Sequence, residues 1–181
     1  GNTPIQIELE LIAPSGHVSK NTSQAHMLAF YKSFDEVRDR TFDGLVIAGA
    51  PVENLPFEEV DYWPELCEIM AWSRTHVHST LHICWGAQAG LHFHHGIEKR
   101  SLPRKLYGVY EHRVLKPSSP LFRGFDDVFC APHSRYTEVW EKDIRAAPGL
   151  ELLATSSEAG VYAVKTEDSS QFFIMGHPEY D

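Results

Sequence analysis

The residue whose setting first suggests chemistry is Cys84. Residues 77–83 form an apolar, β-type run that leads straight into it, and Trp85-Gly86-Ala87-Gln88-Ala89-Gly90 follows at once. Strand, sharp turn and helix in that order are the pattern of a nucleophile elbow, which lifts the apical side chain above a sheet. The helix then points its N-terminal amides and the positive end of its dipole at the sulfur. Such surroundings lower a thiol pKa and favour thiolate, the reactive form. Gly86 lets the helix pack close to the strand. A cysteine buried in the core of a parallel sheet would have the same local sequence, so the stretch alone leaves both readings open.

A thiolate nucleophile needs a base that takes and returns a proton. The chain ends in Gly176-His177-Pro178-Glu179-Tyr180-Asp181, where an apolar strand candidate delivers His177 into a loop with Glu179 two residues on. A carboxylate there can hold the imidazole tautomer and stabilise its cation. His177 alone reads as an ordinary surface or core histidine. Placed at the end of a strand beside the one that ends at Cys84, it completes a Cys84–His177–Glu179 triad. The eleven histidines include a cluster at His92, His94 and His95. Neighbours on a helix point to different sides, and neither CxxC nor HExxH accompanies them. The cluster is therefore read as a solvated helix end and not as a metal site.

The elements that must position these residues follow from periodicity. Residues 4–12 alternate apolar and polar, the period of a strand. A loop over 13–20 precedes a helix over 21–32 that Asn21-Thr22-Ser23 can cap, and a short helical piece covers 34–38. Residues 43–51 are almost continuously apolar and end in Gly49-Ala50-Pro51, as expected for a strand covered on both faces. The loop that follows, 52–57, carries Glu53; such loops form the ligand crevice of open α/β sheets. A helix is expected over 58–75, a strand over 77–83 and a helix from the elbow to about residue 95. Alternating strands and helices imply right-handed βαβ units and a parallel sheet. Beyond Gly96 the pattern changes: 97–105 is basic, with Lys99, Arg100, Arg104 and Lys105, and short strands are expected at 107–115, 127–130, 150–154, 160–164 and 171–175.

A length of 181 residues fits one domain. The net charge of −9 argues against a nucleic-acid partner, and the widely spaced Cys67, Cys84 and Cys130 do not form a disulfide framework. A reducing cytoplasm is the natural setting for them. No run approaches the roughly 20 apolar residues of a membrane span, and the N-terminus shows no basic-then-apolar signal segment.

The elbow together with Gly-His-Pro-Glu resembles the class I glutamine amidotransferases. Within that group the likeness is much closer to one family. Phe42-Asp43-Gly44-Leu45-Val46-Ile47-Ala48-Gly49-Ala50-Pro51, Tyr62-Trp63-Pro64, Cys84-Trp85-Gly86-Ala87-Gln88-Ala89, Gly108-Val109-Tyr110-Glu111-His112, Ala131-Pro132-His133-Ser134-Arg135 and Gly176-His177-Pro178-Glu179-Tyr180 resemble, in order, the homoserine O-acyltransferases of methionine biosynthesis. The resemblance implies a flavodoxin-like α/β fold with a mostly parallel sheet and helices on both faces. It implies acetyl transfer from acetyl-CoA to the hydroxyl of L-homoserine through a cysteine thioester, with no bound cofactor or metal and acetyl-CoA as co-substrate. Cys84 matches the cysteine that carries the acyl group, His177 the base and Glu179 its partner. Lys105 and Ser134 match substrate-binding residues, and the amide of Trp85 an oxyanion donor. Glu53 stands where the family has Gly with succinyl-CoA or Glu with acetyl-CoA; its charge would repel a succinyl carboxylate. Lys105 and the basic segment around it could also meet CoA phosphates. The resemblance further implies small-molecule substrates, a cytoplasmic homodimer, and a single acyltransferase domain over 1–181 that lacks the family's first strand–helix unit and its C-terminal segment. Homoserine O-succinyltransferase, serine O-acetyltransferase and, more distantly, glutamine amidotransferase remain alternatives, as does a non-catalytic relative.

Overall fold

In the computed structural model, residues 6–14 and 31–180 are described. Two short strands, β1 (Leu11–Ile12) and β2 (Tyr31–Lys32), pair in parallel apart from the main sheet. Of the expected strand over 4–12, the described residues 6–12 are strand at Leu11–Ile12 alone, and Lys32, expected to end a helix, lies on a strand. The rest of that helix, 21–30, lies outside the described residues.

Among the described residues the main sheet has seven strands. They are β3 (Phe42–Ile47), β4 (Val77–Ile83), β5 (Arg100–Val114), β6 (Val128–Glu138), β7 (Leu150–Ser156), β8 (Gly160–Thr166) and β9 (Gln171–Ile174), in the spatial order β3-β4-β9-β8-β7-β5-β6. Among the described residues the α-helices are α1 (Trp63–His76), α2 (Trp85–His95) and α3 (Glu141–Ala146). Strand β4 and helix α2 fall where the sequence put them. The helix expected over 58–75 splits into a 3-10 turn, Phe57–Glu59, and α1, which Pro64 opens in its first turn.

The α/β class holds, but the sheet is mixed and not mostly parallel. Only β3–β4 and β4–β9 run parallel; the remaining four neighbouring pairs are antiparallel. The cause is loop length. Three residues separate β7 from β8 and four separate β8 from β9. A parallel pair needs a crossover of a dozen residues or more, so these strands can only fold back as hairpins.

Among the described residues the α-helices pack on one face of the sheet. Leu91 of α2 and Ile144 of α3 pack with Leu152, Val164 and Phe173 on one face. Helix α1 joins the same side through Met70, against Trp85 and Ala89. The opposite face, with Leu153, Ala163 and Ile174, is covered among the described residues by Leu121, Phe122 and Phe129. Each fully buried Leu, Ile or Phe contributes about 1.5–3 kcal/mol, so this two-sided apolar sandwich fixes β4 and β9 side by side. Strand β3, expected to be covered on both faces, is an edge strand among the described residues, and Val46 is 60% exposed. An apolar run does not say whether a strand has one neighbour or two.

Candidate active site

Cys84 stands directly after β4 and opens α2. Its φ of 52° and ψ of −115° lie outside the regions that ordinary residues occupy. Strain of this kind, about 1–3 kcal/mol, persists only where the surroundings impose it. Here the amide of Cys84 donates to the Ile174 carbonyl at 2.7 Å, and the Cys84 carbonyl accepts from Ala87 and Gln88. The residue is thus held to β9 on one side and to the first turn of α2 on the other. Gly86 allows this closeness: a Cβ there would collide with the carbonyl oxygens of Ile47 and Ala48.

Strand β9 then delivers His177. Its amide donates to the Pro132 carbonyl at 2.9 Å, which ties the loop to β6. His177 Nδ1 lies 2.8 Å from Glu179 Oε1. With Nδ1–H donating to that carboxylate, Nε2 is left as the basic nitrogen. The Tyr180 ring stacks on the imidazole at 4.3 Å and 7°, so the ring is fixed from its face as well as its edge. Sequence reasoning quoted Tyr180 in a motif and gave it no part in the site; its place beside the histidine was the available signal.

Cys84, His177, Glu179, Lys105, Ser134 and Glu53 all line one cavity of about 390 Å³, with Ala48–Pro51 and Tyr180 completing the wall. Residues separated by up to 126 positions therefore converge on one space. Trp85 is buried beneath it against Phe57 and Tyr62. Its backbone N–H hydrogen-bonds the Cys84 sulfur.

The elbow was expected to lower the Cys84 pKa. Instead, burial pushes the thiol up to about 11, and the carboxylates of Glu53 and Glu179 push in the same direction. The Trp85 N–H and the Arg135 guanidinium oppose this without overcoming it. Desolvation of the sulfur, in a residue only 6% exposed, outweighs one amide and a helix dipole. Cys84 is thus a neutral thiol at rest, and no hydrogen bond joins it to His177 among the described residues.

Three details of the surroundings bear on the site. Glu53 is anchored to β6: its Oε2 accepts from the Tyr136 amide at 2.9 Å and from the Thr137 hydroxyl at 3.3 Å. Lys99, of the basic segment that could have met CoA phosphates, donates to the carbonyls of Glu53 and Leu55, both at 2.6 Å, and sits over the Phe57 ring. Arg100 pairs with Glu98 and Asp143 and covers Trp140. Of the four basic residues in this segment, Lys105 is the one that reaches the cavity, its ammonium lying 5.3 Å and 5.5 Å from the Tyr107 and Tyr136 rings. Third, the histidines of α2 are half-buried and packed. His92 stacks on Phe57 and His94 meets His82. No group of three or more His, Cys, Asp or Glu among the described residues could hold a metal ion.

Behind the cavity lies a polar network that sequence reasoning missed. Buried Arg135 donates to the carbonyls of Thr137 and Ala159 and, from Nε, to His133 Nδ1. Since Arg135 can only donate, His133 carries its proton on Nε2 and donates it to His112 Nε2 at 2.9 Å. Alternation along β6 (His133, Arg135 and Thr137 inward, Ser134 toward the cavity) was the signal that could have found it.

Comparison with known proteins adds the lineage. The sequence model described as homoserine O-succinyltransferase matches residues 1–181. This chain belongs to that family. Its relatives include proteins named homoserine O-acetyltransferase: one from Thermotoga petrophila is 59% identical over 181 residues, all of this chain and 59% of the relative. Another, from Agathobacter rectalis, is 56% identical over 180 residues, 99% of this chain and 58% of the relative. The chain therefore spans about three fifths of the length of these curated relatives. Among solved structures, a glutamine amidotransferase from Thermotoga maritima superposes with a TM-score of 0.63 at 14% identity, covering 92% of this chain and 62% of that one. A glutamine amidotransferase from Methylobacillus flagellatus gives 0.62 at 16% identity, over 87% and 64%. Both establish the class I glutamine amidotransferase-like fold of the family member described here. No helix among its described residues is long and apolar enough to cross a membrane.

Proposed function

We propose that this chain carries the acyl-transfer centre of an enzyme that moves an acetyl group from acetyl-CoA to the hydroxyl of L-homoserine. The supporting observation is the convergence of Cys84, His177, Glu179, Lys105, Ser134 and Glu53 on one cavity, in a chain whose relatives are named for that activity.

Because the Cys84 thiol is neutral at rest, its proton must leave as the bond forms. His177 Nε2 takes that proton while Sγ adds to the thioester carbonyl, and Glu179 stabilises the imidazolium through Nδ1. The carbonyl oxygen becomes an oxyanion that the Trp85 N–H holds. The C–S bond to CoA then breaks, and the CoA sulfur leaves with the proton from His177. This leaves acetyl-Cys84. The homoserine hydroxyl gives its proton to His177 and its oxygen attacks the new thioester. Collapse returns the proton to Cys84 Sγ and releases O-acetylhomoserine. Lys105 and Ser134 hold the amino acid at the cavity wall.

Glu53 sets the acyl donor. A succinyl carboxylate about 4–5 Å from it would meet a repulsion of roughly 3–4 kcal/mol at an effective dielectric of about 20. Half of that, after screening, exceeds a tenfold rate ratio. The enzyme uses no bound cofactor and acts as a cytoplasmic homodimer on small molecules.

The test is product analysis by mass spectrometry, with acetyl-CoA and succinyl-CoA each offered against L-homoserine and L-serine. O-acetylhomoserine should dominate. Dominant succinylation, dominant serine acetylation, or glutaminase activity without acyl transfer would each replace this reading.

A further inference from the structure

The Glu53 carboxylate is held by elements distant in sequence. The Tyr136 amide donates to Oε2 at 2.9 Å, and the Thr137 hydroxyl lies 3.3 Å from the same oxygen. That hydroxyl is also 2.8 Å from the amide oxygen of Gln88, on α2 and four residues beyond Cys84. Thr137 and Gln88 are 2% and 1% exposed, so water does not substitute for the bond between them.

A proton count shows that this set has two arrangements. A threonine hydroxyl has one proton. Turned to Gln88, it leaves Glu53 with the Tyr136 amide alone. The two ends of a carboxamide have the same shape. With the Gln88 amide turned over, Nε2 stands 2.8 Å from Thr137 Oγ1 and donates to it, and the hydroxyl donates on to Glu53. The last bond then ends on a charged acceptor, about twice as strong as a neutral one, which favours this arrangement. Thr137 is itself fixed by Arg135, whose Nη1 donates to its carbonyl at 2.6 Å. Lys99 fixes the backbone of the Glu53 loop from the other side.

We propose that Thr137, backed by Gln88, is the positioning residue that holds the Glu53 carboxylate at the acyl site, and so sets discrimination against acyl donors that end in a carboxylate. The proposal rests on the assignment of Glu53 as the acyl-donor determinant. Without the hydroxyl, Glu53 keeps a single bond, from the Tyr136 amide at the cavity rim, and its charge moves outward. Repulsion falls with distance, so succinyl-CoA gains relative to acetyl-CoA.

The test measures kcat/KM for acetyl-CoA and succinyl-CoA in the full-length protein, for Thr137→Val, Thr137→Ser, Glu53→Gly and the Thr137→Val/Glu53→Gly double variant. The acetyl-to-succinyl ratio is read within each enzyme, so a reduced folded fraction cancels. Thr137→Val should lower the ratio about threefold to tenfold, and Thr137→Ser should restore it. In the Glu53→Gly background, Thr137→Val should change nothing further, because its effect passes through Glu53. If Glu53→Gly lowers the ratio and Thr137→Val does not, the positioning role is wrong and the Glu53 assignment stands. If Thr137→Val acts equally with and without Glu53, the role is also wrong. An unchanged ratio in Glu53→Gly removes both.

Discussion

Cys84 is subject to opposing demands. Chemistry needs a sulfur that gives up its proton, yet burial, Glu53 and Glu179 favour the neutral thiol. In the proposed mechanism the residue therefore depends on His177, and this separates it from a cysteine that rests as thiolate. Iodoacetamide labelling of Cys84 should be slow at neutral pH and still rising at about pH 9. A plateau reached near pH 7, read by intact mass with Cys84→Ala as the blank, would mean that the thiolate is already formed at rest. Mixing with acetyl-CoA should add one acetyl group, absent in Cys84→Ala. Replacing His177 with Ala should lower kcat/KM by roughly 10²–10⁴-fold, and Glu179→Gln should cost less, since the imidazole keeps its place against Tyr180. Near-normal turnover in His177→Ala would move the base to another histidine.

At the scale of elements, the site depends on how closely α2 approaches β3. Seven successive residues of α2, Trp85 to Leu91, are buried, and Gly86 makes the nearest approach. Gly86→Ala must push the helix away from the Ile47 and Ala48 carbonyls. Overpacking of this kind costs about 1–3 kcal/mol. It also displaces Cys84 from the 48–53 loop, so both the melting temperature and acetylation of Cys84 should fall. A variant that melts lower yet acetylates at the normal rate would show that the elbow tolerates displacement. Gly96→Ala makes a useful contrast. It has a φ of 67° and no atom near a new Cβ, so it should destabilise by backbone strain alone and leave acetylation per folded molecule unchanged.

For the whole molecule, the histidines set a limit in acid. His82, His112 and His133 are 1% exposed or less, and burial lowers their pKa values to about 3, 4 and 3. In the unfolded chain each titrates near 6.5. Stability is therefore intact above pH 6.5 and declines as pH falls toward 4, because the unfolded state binds protons that the folded state refuses. Each group contributes at most about 1.4 kcal/mol per pH unit, so the three approach 4 kcal/mol per unit, a large share of an ordinary 5–15 kcal/mol. Urea midpoints should fall steeply between about pH 6.5 and 5. A flat profile there would mean that these side chains gain solvent or partners on protonation.

What was legible in the sequence was local. The alternation of types around residues 77–95 specified β4, the elbow and α2 because a strand-to-helix turn leaves its mark within a dozen residues. Gly-His-Pro-Glu after an apolar run likewise specified a strand-end histidine with a carboxylate two residues away. Family-like motifs then singled out Glu53, Lys105 and Ser134. What only the tertiary structure decided depends on neighbours far apart in the chain. It placed β9 between β4 and β8, and so brought His177 beside Cys84. It made the sheet mixed and left β3 at an edge among the described residues. It buried the Cys84 sulfur deeply enough to reverse the expected pKa shift. It joined Gln88, Thr137 and Glu53 across 84 positions. Hydrogen-bond partners and desolvation are properties of the packed space around an atom, and a one-dimensional pattern of residue types carries neither.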